Sequence, residues 1–455
     1  MTVARAETRL RGRLPLTAAQ REAIVLGGLA ALALAVIGLW WADTPAGSLH
    51  TFADRLTAAG RITGLVGTYL VLVQVLLMAR LPWLDRWVGT DRLSAWHRSN
   101  GAYTIVLLVA HTVLITWGYA SLDKISPAHE LRTLLRSYPD VLAATVALIL
   151  LIAVGLSSVR FLRRRLMHET WYFVHLYTYL AIALAFSHEL ATGNEFITHR
   201  ANRILWVAMY VVTFGLLVVF RVVAPIRDAL RYQLRVESVE PEAGGAVSVY
   251  VGGIGLDRMD VEAGQFFRWR FLTRESWWHS HPFSLSAPPT GRVLRLTAKA
   301  VGSHTTELAR LRPGTRVVAE GPYGNLTGRR RTRQKVLLLA GGVGITPLRS
   351  LLGDLPAAPG DLVLLYRVSR DDEVMFRSEL EELATNRGAI VRYLIGRRDK
   401  HPGPLSAPRL RHHVPDIIER DVFLCGPPGM MAEATASLRS LGLRRSQIHA
   451  ERFEL

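Results

Sequence analysis

The stretch that decides the fold is HRSNGAYTIVLLVAHTVLITWGY, residues 97–119, an apolar run with two histidines in it. A helix of this length can cross the hydrocarbon of a bilayer. Leucine and valine enter lipid without cost, but each imidazole there needs a partner. His97 and His111 must therefore be held by something, and the rest of the chain indicates what it is.

Composition predicts a membrane part joined to a soluble part. The 455 residues are 50% hydrophobic. The chain nevertheless contains 55 Lys and Arg and 37 Asp and Glu, which gives a formal net charge of +18. The arginines flank apolar runs and do not form one basic face, so membrane topology explains them better than nucleic acid does.

Six apolar runs in the first half are long enough to span a bilayer as helices. They lie near residues 22–42, 61–80, 99–119, 139–159, 170–190 and 203–223. Arginine-rich segments before, between and after these runs fall on one side, which the positive-inside rule makes the cytoplasm. We expect a multi-pass protein of the cell (inner) membrane with residues 1–21 inside and the third and fifth helices running outward. The first run exceeds the usual length of a cleavable signal, which is the alternative.

Beyond residue 225 the pattern changes to that of a soluble protein. Short strands separated by glycine and proline come first, and from residue 335 strands alternate with helices. The sequence thus predicts a six-helix transmembrane domain over 22–225 and an antiparallel β-barrel over 228–330. An α/β parallel-sheet nucleotide-binding domain follows over 334–455.

Cysteine content excludes several redox centres. The single Cys425 cannot form an intrachain disulfide, supply the four thiolates of an iron–sulfur cluster or complete a CxxCH haem-attachment motif. Any haem must be held without covalent attachment.

Two histidines occur in each of two predicted helices, at similar spacing. His97 and His111 are fourteen residues apart, and His175 and His188 are thirteen apart. Both gaps are roughly 20 Å along a helix. Since the two helices run in the same direction, the pairs are His97 with His175 at the inner side and His111 with His188 at the outer side. Two imidazoles per iron favour electron transfer, and four in register suggest two stacked haems.

The fifth helix poses a geometric problem. Thirteen residues leave His175 and His188 roughly 140° apart around an ideal helix, whereas fourteen residues bring His97 and His111 within roughly 40°. We therefore expect a bend, overwinding or a π-bulge in the fifth helix. A lone membrane histidine has other roles, as an interhelical hydrogen bonder or part of a proton relay.

Paired histidines on the third and fifth of six helices, ahead of a flavin barrel and a nucleotide domain, resemble the NADPH oxidase and ferric reductase superfamily. The resemblance covers nearly the whole chain from about residue 20, and it implies a ferredoxin-reductase-like soluble module. It also implies electron transfer from NAD(P)H through FAD and two haem b groups across the membrane. The fourteen and thirteen spacings are more similar to the oxidase branch.

Two soluble motifs are similar to the family's flavin-binding loops. The resemblance places HPFSLSAPP, residues 281–289, against the isoalloxazine and ribityl chain, and KAVGSHTTEL against the FAD pyrophosphate. The flavin-binding residues it implies are His281, Pro282, Phe283, Ser284, Gly302, Ser303 and Thr305.

AGGVGITPLRSLL, residues 340–352, follows a predicted strand and opens a helix, where backbone amides can bind a pyrophosphate. The form GVGITP is usual in the superfamily, and FLCGPPGMM at 423–431 resembles its distant partner near the nicotinamide. The nucleotide-binding residues implied are Gly341, Gly342, Gly344, Ile345, Thr346, Pro347, Gly426 and Pro427. Cys425 lies beside the hydride-transfer site in this reading, with a packing role favoured over that of a nucleophile.

The stretch YRVSR bears on the choice between NADPH and NADH. Arg367, Ser369 and Arg370 can grip a 2′-phosphate, and no acidic residue ends that strand to bind a free 2′-hydroxyl. Asp371 and Asp372 follow at once and oppose this reading. NADPH is favoured, with NADH as the alternative.

Two further residues have expected roles. Arg98 either pairs with a haem propionate or anchors the helix at the lipid surface. The resemblance places Phe453 over the flavin, where nicotinamide must bind, although the residue could instead pack in the core.

The sequence thus predicts an oxidoreductase that delivers electrons to a small acceptor on the outer face, with dioxygen giving superoxide favoured. A ferric-chelate reductase and a membrane subunit feeding a periplasmic partner are the alternatives, and no protein partner is identified.

Overall fold

The computed structural model describes residues 18–44, 46–275, 277–299, 307–396 and 403–451. They form two compact units. The first contains the described residues up to Leu81 together with Arg92–Arg221, and the second contains Pro82–Asp91 together with the described residues from Val222 onward. Each unit is described by itself below.

Long helices make up the first unit, and shorter ones begin the second. In chain order the helices of the first half are α1 (Ala18–Asp43), α2 (Phe52–Met78), α3 (Pro82–Val88), α4 (Thr90–Asp123), α5 (Pro127–Ser137), α6 (Val141–Ser158), α7 (Arg160–Arg163), α8 (His168–Thr192), α9 (Asn194–Thr198), α10 (Arg200–Val218) and α11 (Ala224–Tyr232). A π-helical turn, Val219–Val223, joins α10 to α11.

Five helical stretches among the described residues are long and apolar enough to cross a membrane. They are Gln20–Asp43, Phe52–Met78, Thr90–Asp123, Val141–Ser158 and Arg200–Tyr232. The chain is therefore a multi-pass membrane protein, but the predicted count of six is not confirmed. The run at 170–190 does form a helix, α8, whose 25 residues extend about 37 Å. Its histidines, tyrosines and Glu189 lower its hydropathy, so its membrane crossing stays a prediction.

The predicted π-bulge in the fifth helix is not found. Helix α8 is α-helical from His168 to Thr192 without a π turn, and the π turn of the first half lies instead at Val219–Val223. Of the three distortions expected, only the π-bulge is excluded, and a bend or overwinding of α8 stays a prediction. Imidazole rings sit on two rotatable bonds, which absorb much of an angular mismatch at the backbone.

Two antiparallel three-stranded sheets share one hydrophobic core in the second unit. One has the order β1–β2–β5 and the other the order β4–β3–β6. The strands are β1 (Arg235–Glu242), β2 (Ala246–Gly252), β3 (Phe266–Phe271), β4 (His281–Ser284), β5 (Val293–Lys299) and β6 (Val317–Tyr323). Alternate residues of β3, namely Phe267, Trp269 and Phe271, point into this core. Both antiparallel sheets lie in the region 228–330 where a barrel was predicted, while closure into a complete barrel stays a prediction.

A five-stranded parallel sheet of order β11–β10–β7–β8–β9 follows. Its elements are β7 (Val336–Gly341), α12 (Ile345–Asp354), β8 (Leu362–Val368), α13 (Arg377–Arg387), β9 (Ile390–Ile395), α14 (Ala407–His413), β10 (Asp421–Cys425), α15 (Pro428–Ser440) and β11 (Ile448–Glu451). Strands β7 and β10 are buried along their whole length because helices cover both faces. The carboxyl ends of β7 and β10 are neighbours, which brings the turn at 341–347 beside the turn at 425–428.

Candidate functional site

The first candidate site consists of the four histidines of α4 and α8. The ring centroids of His97 and His175 are 6.0 Å apart, with their planes at 56°. The structure therefore brings His97 and His175 together, as the spacing predicts, and the pairing of His111 with His188 stays a prediction.

Hydrogen bonds define which ring nitrogen is protonated in the two histidines of α4. The Nδ1 atoms of His97 and His111 lie 3.3 Å and 2.8 Å from the carbonyl oxygens of Gln74 and Gly60. A carbonyl only accepts, so each Nδ1 must carry the proton and donate it. Each Nε2 is then left with a free lone pair, which is the arrangement common in metal-binding histidines.

The two histidines of α8 have different surroundings. The hydroxyl of Thr192 donates to the carbonyl of His188 at 2.8 Å, so its oxygen accepts from Nδ1 of His188 at 3.1 Å. Nε2 of His188 is left as an acceptor. Nδ1 of His175 is buried and finds no hydrogen-bond partner among the described residues. Trp171 lies against the His175 ring, with centroids 5.0 Å apart.

The His97–His175 pair would fit one haem iron. Imidazole nitrogens bind first-row metals at about 2.0–2.1 Å, which puts the centroids of two axial rings roughly 6 Å apart, as for His97 and His175. Among the described residues no three His, Cys, Asp or Glu side chains group as a metal site. A haem needs only two protein ligands, because the porphyrin supplies the other four.

Glycines of α2 make room for His111. A Cβ on Gly64 would lie 2.6 Å from its Nδ1, and Cβ atoms on Gly60 and Gly67 would also meet side chains of α4 at under 3.0 Å. The two helices therefore approach closely where His111 donates to Gly60. Arg98, beside His97, is exposed.

Glu189, half-buried on α8, is an acid that the sequence reasoning missed. Its carboxylate accepts from the hydroxyl of Thr68 at 3.0 Å, from Nε1 of Trp206 at 2.8 Å and from the hydroxyl of Tyr210 at 3.0 Å. It thus links α8 to α2 and α10, next to His188. Placing an acidic side chain in an apolar helix costs free energy, so an acid is rare there. That rarity was the signal available in the sequence.

The second candidate site lies in the second unit, along β4. Strand β4 contains His281, Pro282, Phe283 and Ser284 and pairs with β3. Nε1 of Trp269 donates to the carbonyl of Phe283 at 3.0 Å, which fixes the strand. The hydroxyl of Ser284 is buried without a hydrogen-bond partner among the described residues. A buried orphan hydroxyl costs free energy, so this strand fits a ligand that supplies the missing bond.

The nucleotide motif forms the turn between β7 and α12. Gly342 has φ +53, a conformation that favours glycine. A Cβ on Gly344 would lie 2.3 Å from the carbonyl oxygen of Cys425, and one on Gly341 would lie 2.2 Å from Sδ of Met430. The motif at 341–347 and its partner at 425–430 therefore pack backbone to backbone. Ile345, Thr346 and Pro347 open α12, and the amino-terminal end of a helix can bind an anion. Gly426 and Pro427 lie across from them.

Cys425 is buried, with its side chain inaccessible. Burial raises the pKa of its thiol well above its usual range, and the carboxyls of Glu451 and Asp91 raise it further. A neutral thiol is a poor nucleophile, which favours the packing role.

Glu451 is the second residue that the sequence reasoning missed. It pairs with Cys425 in the β10–β11 register, and its Oε2 is buried without a hydrogen bond among the described residues. Burial raises its pKa well above the usual range, with Asp91 and Asp85 adding to the effect. The position of Glu451, two residues before Phe453, was the signal available in the sequence.

The residues expected at a 2′-phosphate have partners of their own. Nη1 of Arg367 donates to the carbonyl of Leu394 at 3.1 Å. Ser369 is exposed, and Nε of Arg370 donates to Asp372 at 3.0 Å. Binding a phosphate would require Arg370 to exchange partners. Gly302, Ser303, Thr305 and Phe453 lie outside the described residues.

Comparison with known proteins finds a family match in each half of the chain. Residues 63–186 match the family described as ferric reductase like transmembrane component, and residues 338–436 match the oxidoreductase NAD-binding domain. The chain therefore contains a ferric-reductase-like transmembrane component followed by an oxidoreductase NAD-binding domain. This combination confirms the resemblance to the NADPH oxidase and ferric reductase superfamily.

Individual relatives match the soluble half. An NADPH oxidoreductase of Mycobacterium tuberculosis is 30% identical over 238 residues, which cover 50% of this chain and 62% of that protein. Ferredoxin–NADP reductase B of Sorangium cellulosum is 29% identical over 247 residues, 49% of this chain and 98% of its own. The FAD/NAD binding domain of a nitric oxide dioxygenase from Vibrio cholerae aligns with 49% of this chain at 22% identity and a TM-score of 0.40.

Proposed function

We propose that this chain carries electrons from cytoplasmic NADPH, through FAD and two haem b groups, to a small acceptor at the outer face of the cell membrane. The single observation that supports this most is the pairing of His97 with His175 at 6.0 Å, because that separation suits two axial imidazoles on one iron. The flavin would supply the change from two-electron to one-electron chemistry.

The protein residues have separate roles in this proposal. His97 with His175, and His111 with His188, hold the two irons. The strand 281–284 holds the flavin, and the turns at 341–347 and 425–427 hold NADPH. Arg98 is proposed beside a haem propionate.

Dioxygen is the favoured acceptor. Two protein ligands saturate each iron, so the acceptor must take single electrons without binding the metal, which suits dioxygen giving superoxide. The same site would serve a ferric chelate, and a periplasmic protein partner is the third candidate.

The experiment measures haem content and electron acceptance. We expect the purified wild-type protein to bind two low-spin haems and to be reduced anaerobically by NADPH. His111→Leu should lose one haem equivalent while NADPH still reduces the flavin. His129→Leu, which changes an exposed histidine on α5, is the matched control and should keep both haems.

Two full haem equivalents in His111→Leu would contradict the ligand assignment. Reoxidation of the reduced wild-type protein, timed with dioxygen and with ferric chelates, then distinguishes the acceptors. Faster reoxidation by the chelates would favour the ferric reductase.

A further inference from the structure

Arg295 connects the two parts of the reductase module. It lies on β5, and its side chain is 5% exposed. Toward the flavin strand, its Nε donates to the hydroxyl of Ser286 at 3.1 Å and its Nη2 to the carbonyl of Ser286 at 2.8 Å. Ser286 follows β4 by two residues. Arg295 therefore binds the segment that follows β4, the proposed isoalloxazine-binding strand.

The other side of the same guanidinium binds Glu379, in the first turn of α13. Nη1 and Nη2 donate to Oε1 and Oε2 at 2.7 Å and 3.0 Å, a two-pronged geometry that fixes both position and orientation. Burial alone raises the pKa of Glu379, but Arg295 and Arg349 outweigh burial and hold that pKa below its usual range. The carboxylate is therefore charged at neutral pH.

Glu379 also contacts the nucleotide-binding helix. Nη2 of Arg349, on α12, lies 2.6 Å from Oε2 of Glu379. Helix α12 is the one that opens at the turn 341–347. A continuous chain of charged hydrogen bonds thus runs from Ser286 through Arg295, Glu379 and Arg349 to the helix at the proposed pyrophosphate site.

Close packing surrounds this chain of bonds. A Cβ on Gly353, near the end of α12, would lie 2.7 Å from Cγ of Pro288, so α12 meets the segment after β4 without a gap. The Arg295 guanidinium also lies 4.8 Å from the ring centroid of Phe376. Behind Ser286, the hydroxyls of Thr297 and Ser248 continue the polar contacts at 2.7 Å each.

Stability alone does not explain such a cluster. Buried ion pairs repay little of their desolvation cost, and apolar residues of similar volume are often as stable. What a forked, buried arginine does provide is a fixed relative position of the elements that it joins. Here those elements are the proposed flavin strand and the proposed NADPH helix.

We propose that Arg295, with Glu379 and Arg349, is a positioning residue that sets the nicotinamide against the flavin for hydride transfer. The inference rests on the proposed function, because it requires both cofactors at these elements. Misplacement of reacting atoms by about 1 Å can slow a reaction by roughly 100-fold, so a loosened connection should slow hydride transfer more than it weakens binding.

The test uses the full-length holoprotein with Arg295→Met, Arg295→Lys and Glu379→Gln. Stopped-flow absorbance measures anaerobic flavin reduction by NADPH and by its 4-deuterated form, and a titration with NADP⁺ measures affinity. We expect Arg295→Met and Glu379→Gln to slow flavin reduction by about tenfold or more. The affinity should change far less, the flavin–nicotinamide charge-transfer band should weaken, and Arg295→Lys should recover part of the rate.

Arg420→Met is the matched control. Arg420 is also 5% exposed and binds Asp416, but it lies at the amino-terminal edge of the parallel sheet, away from the proposed cofactors. We expect a lower unfolding temperature with an unchanged hydride-transfer rate per folded protein. If Arg295→Met fails to fold, the rate of flavin reduction in Glu379→Gln tests the proposal instead. The Glu379 side chain is 31% exposed, so this substitution disturbs the core less.

Rates of the Arg295 and Glu379 variants within about twofold of wild type, or an equal slowing in Arg420→Met, would overturn the positioning role. A wild-type flavin that NADPH does not reduce would instead overturn the proposed function, so the two failures are distinguishable.

Discussion

At the scale of single residues, the sequence predicted the histidine pairs but not their buried neighbours. His97, His111, His175 and His188 stand out because imidazole is rare in apolar helices. Glu189 and Glu451 can also be read directly from the sequence. Their structural roles, however, depend on contacts with residues far away in the chain, such as Trp206 and Cys425. No spacing rule within one helix or strand predicts those contacts.

Gly64→Ala tests the close approach of α2 to His111. The added Cβ would lie 2.6 Å from Nδ1 of His111, so the ring or the helix must shift. We expect overpacking of about 1–3 kcal/mol and loss or distortion of the outer haem, seen in haem content and in the electron paramagnetic resonance spectrum. Gly215→Ala, on α10, is the control because nothing lies within 4 Å of its Cβ position. Unaltered outer-haem signals in Gly64→Ala would contradict this packing.

Alkylation tests the environment of Cys425, the single cysteine of the chain. Because burial keeps its pKa raised, the thiol stays protonated at pH 8 and inaccessible to reagent. We expect iodoacetamide to leave the native protein unlabelled by mass spectrometry, whereas denatured protein takes up one label. Rapid labelling of the native protein at pH 8 would indicate a reactive thiolate, contrary to a packing role.

At the scale of secondary structure, runs and periodicity predicted most helices and the change to alternating strands. The parallel sheet was foreseen because its strands are continuous apolar runs such as Val336–Gly341. The π-bulge, one of three distortions expected in α8, is not found, and rotation of the side chains can absorb part of the angular mismatch. The sixth span is not confirmed because α8 carries polar groups that serve contacts inside the first unit.

Glu189 joins three helices, and its removal should loosen them. Glu189→Ala deletes hydrogen bonds to Thr68, Trp206 and Tyr210. At about 0.6 kcal/mol for each interhelical bond in a membrane, we expect a loss of roughly 2 kcal/mol, measured as a lower unfolding temperature in detergent. Glu189→Gln should lose less, because its amide oxygen still accepts. Ser187→Ala, at an exposed position one residue from His188, is the control, and an equal effect there would contradict the assignment.

At the scale of the whole molecule, hydropathy predicted that a part with long apolar helices precedes a part without them. The sequence did not predict that Pro82–Asp91 belongs to the second unit. It follows from contacts between residues far apart in sequence, in which the Gly324 amide donates to Asp85 at 3.1 Å and Arg86 binds Asp260 at 2.8 Å. The sequence analysis placed residues 82–91 in the membrane domain because they join two apolar runs.

Electron transfer across a sealed membrane tests the central claim most directly. The protein, loaded with FAD and haem, is reconstituted in vesicles that enclose superoxide-detecting ferricytochrome c or a membrane-impermeant ferric chelate. NADPH is added outside, where it reaches only molecules whose reductase module faces outward. We predict reduction of the enclosed acceptor, abolished in His111→Leu and retained in His129→Leu. Reduction that occurs only when acceptor and NADPH share one side of the membrane would contradict transmembrane electron transfer.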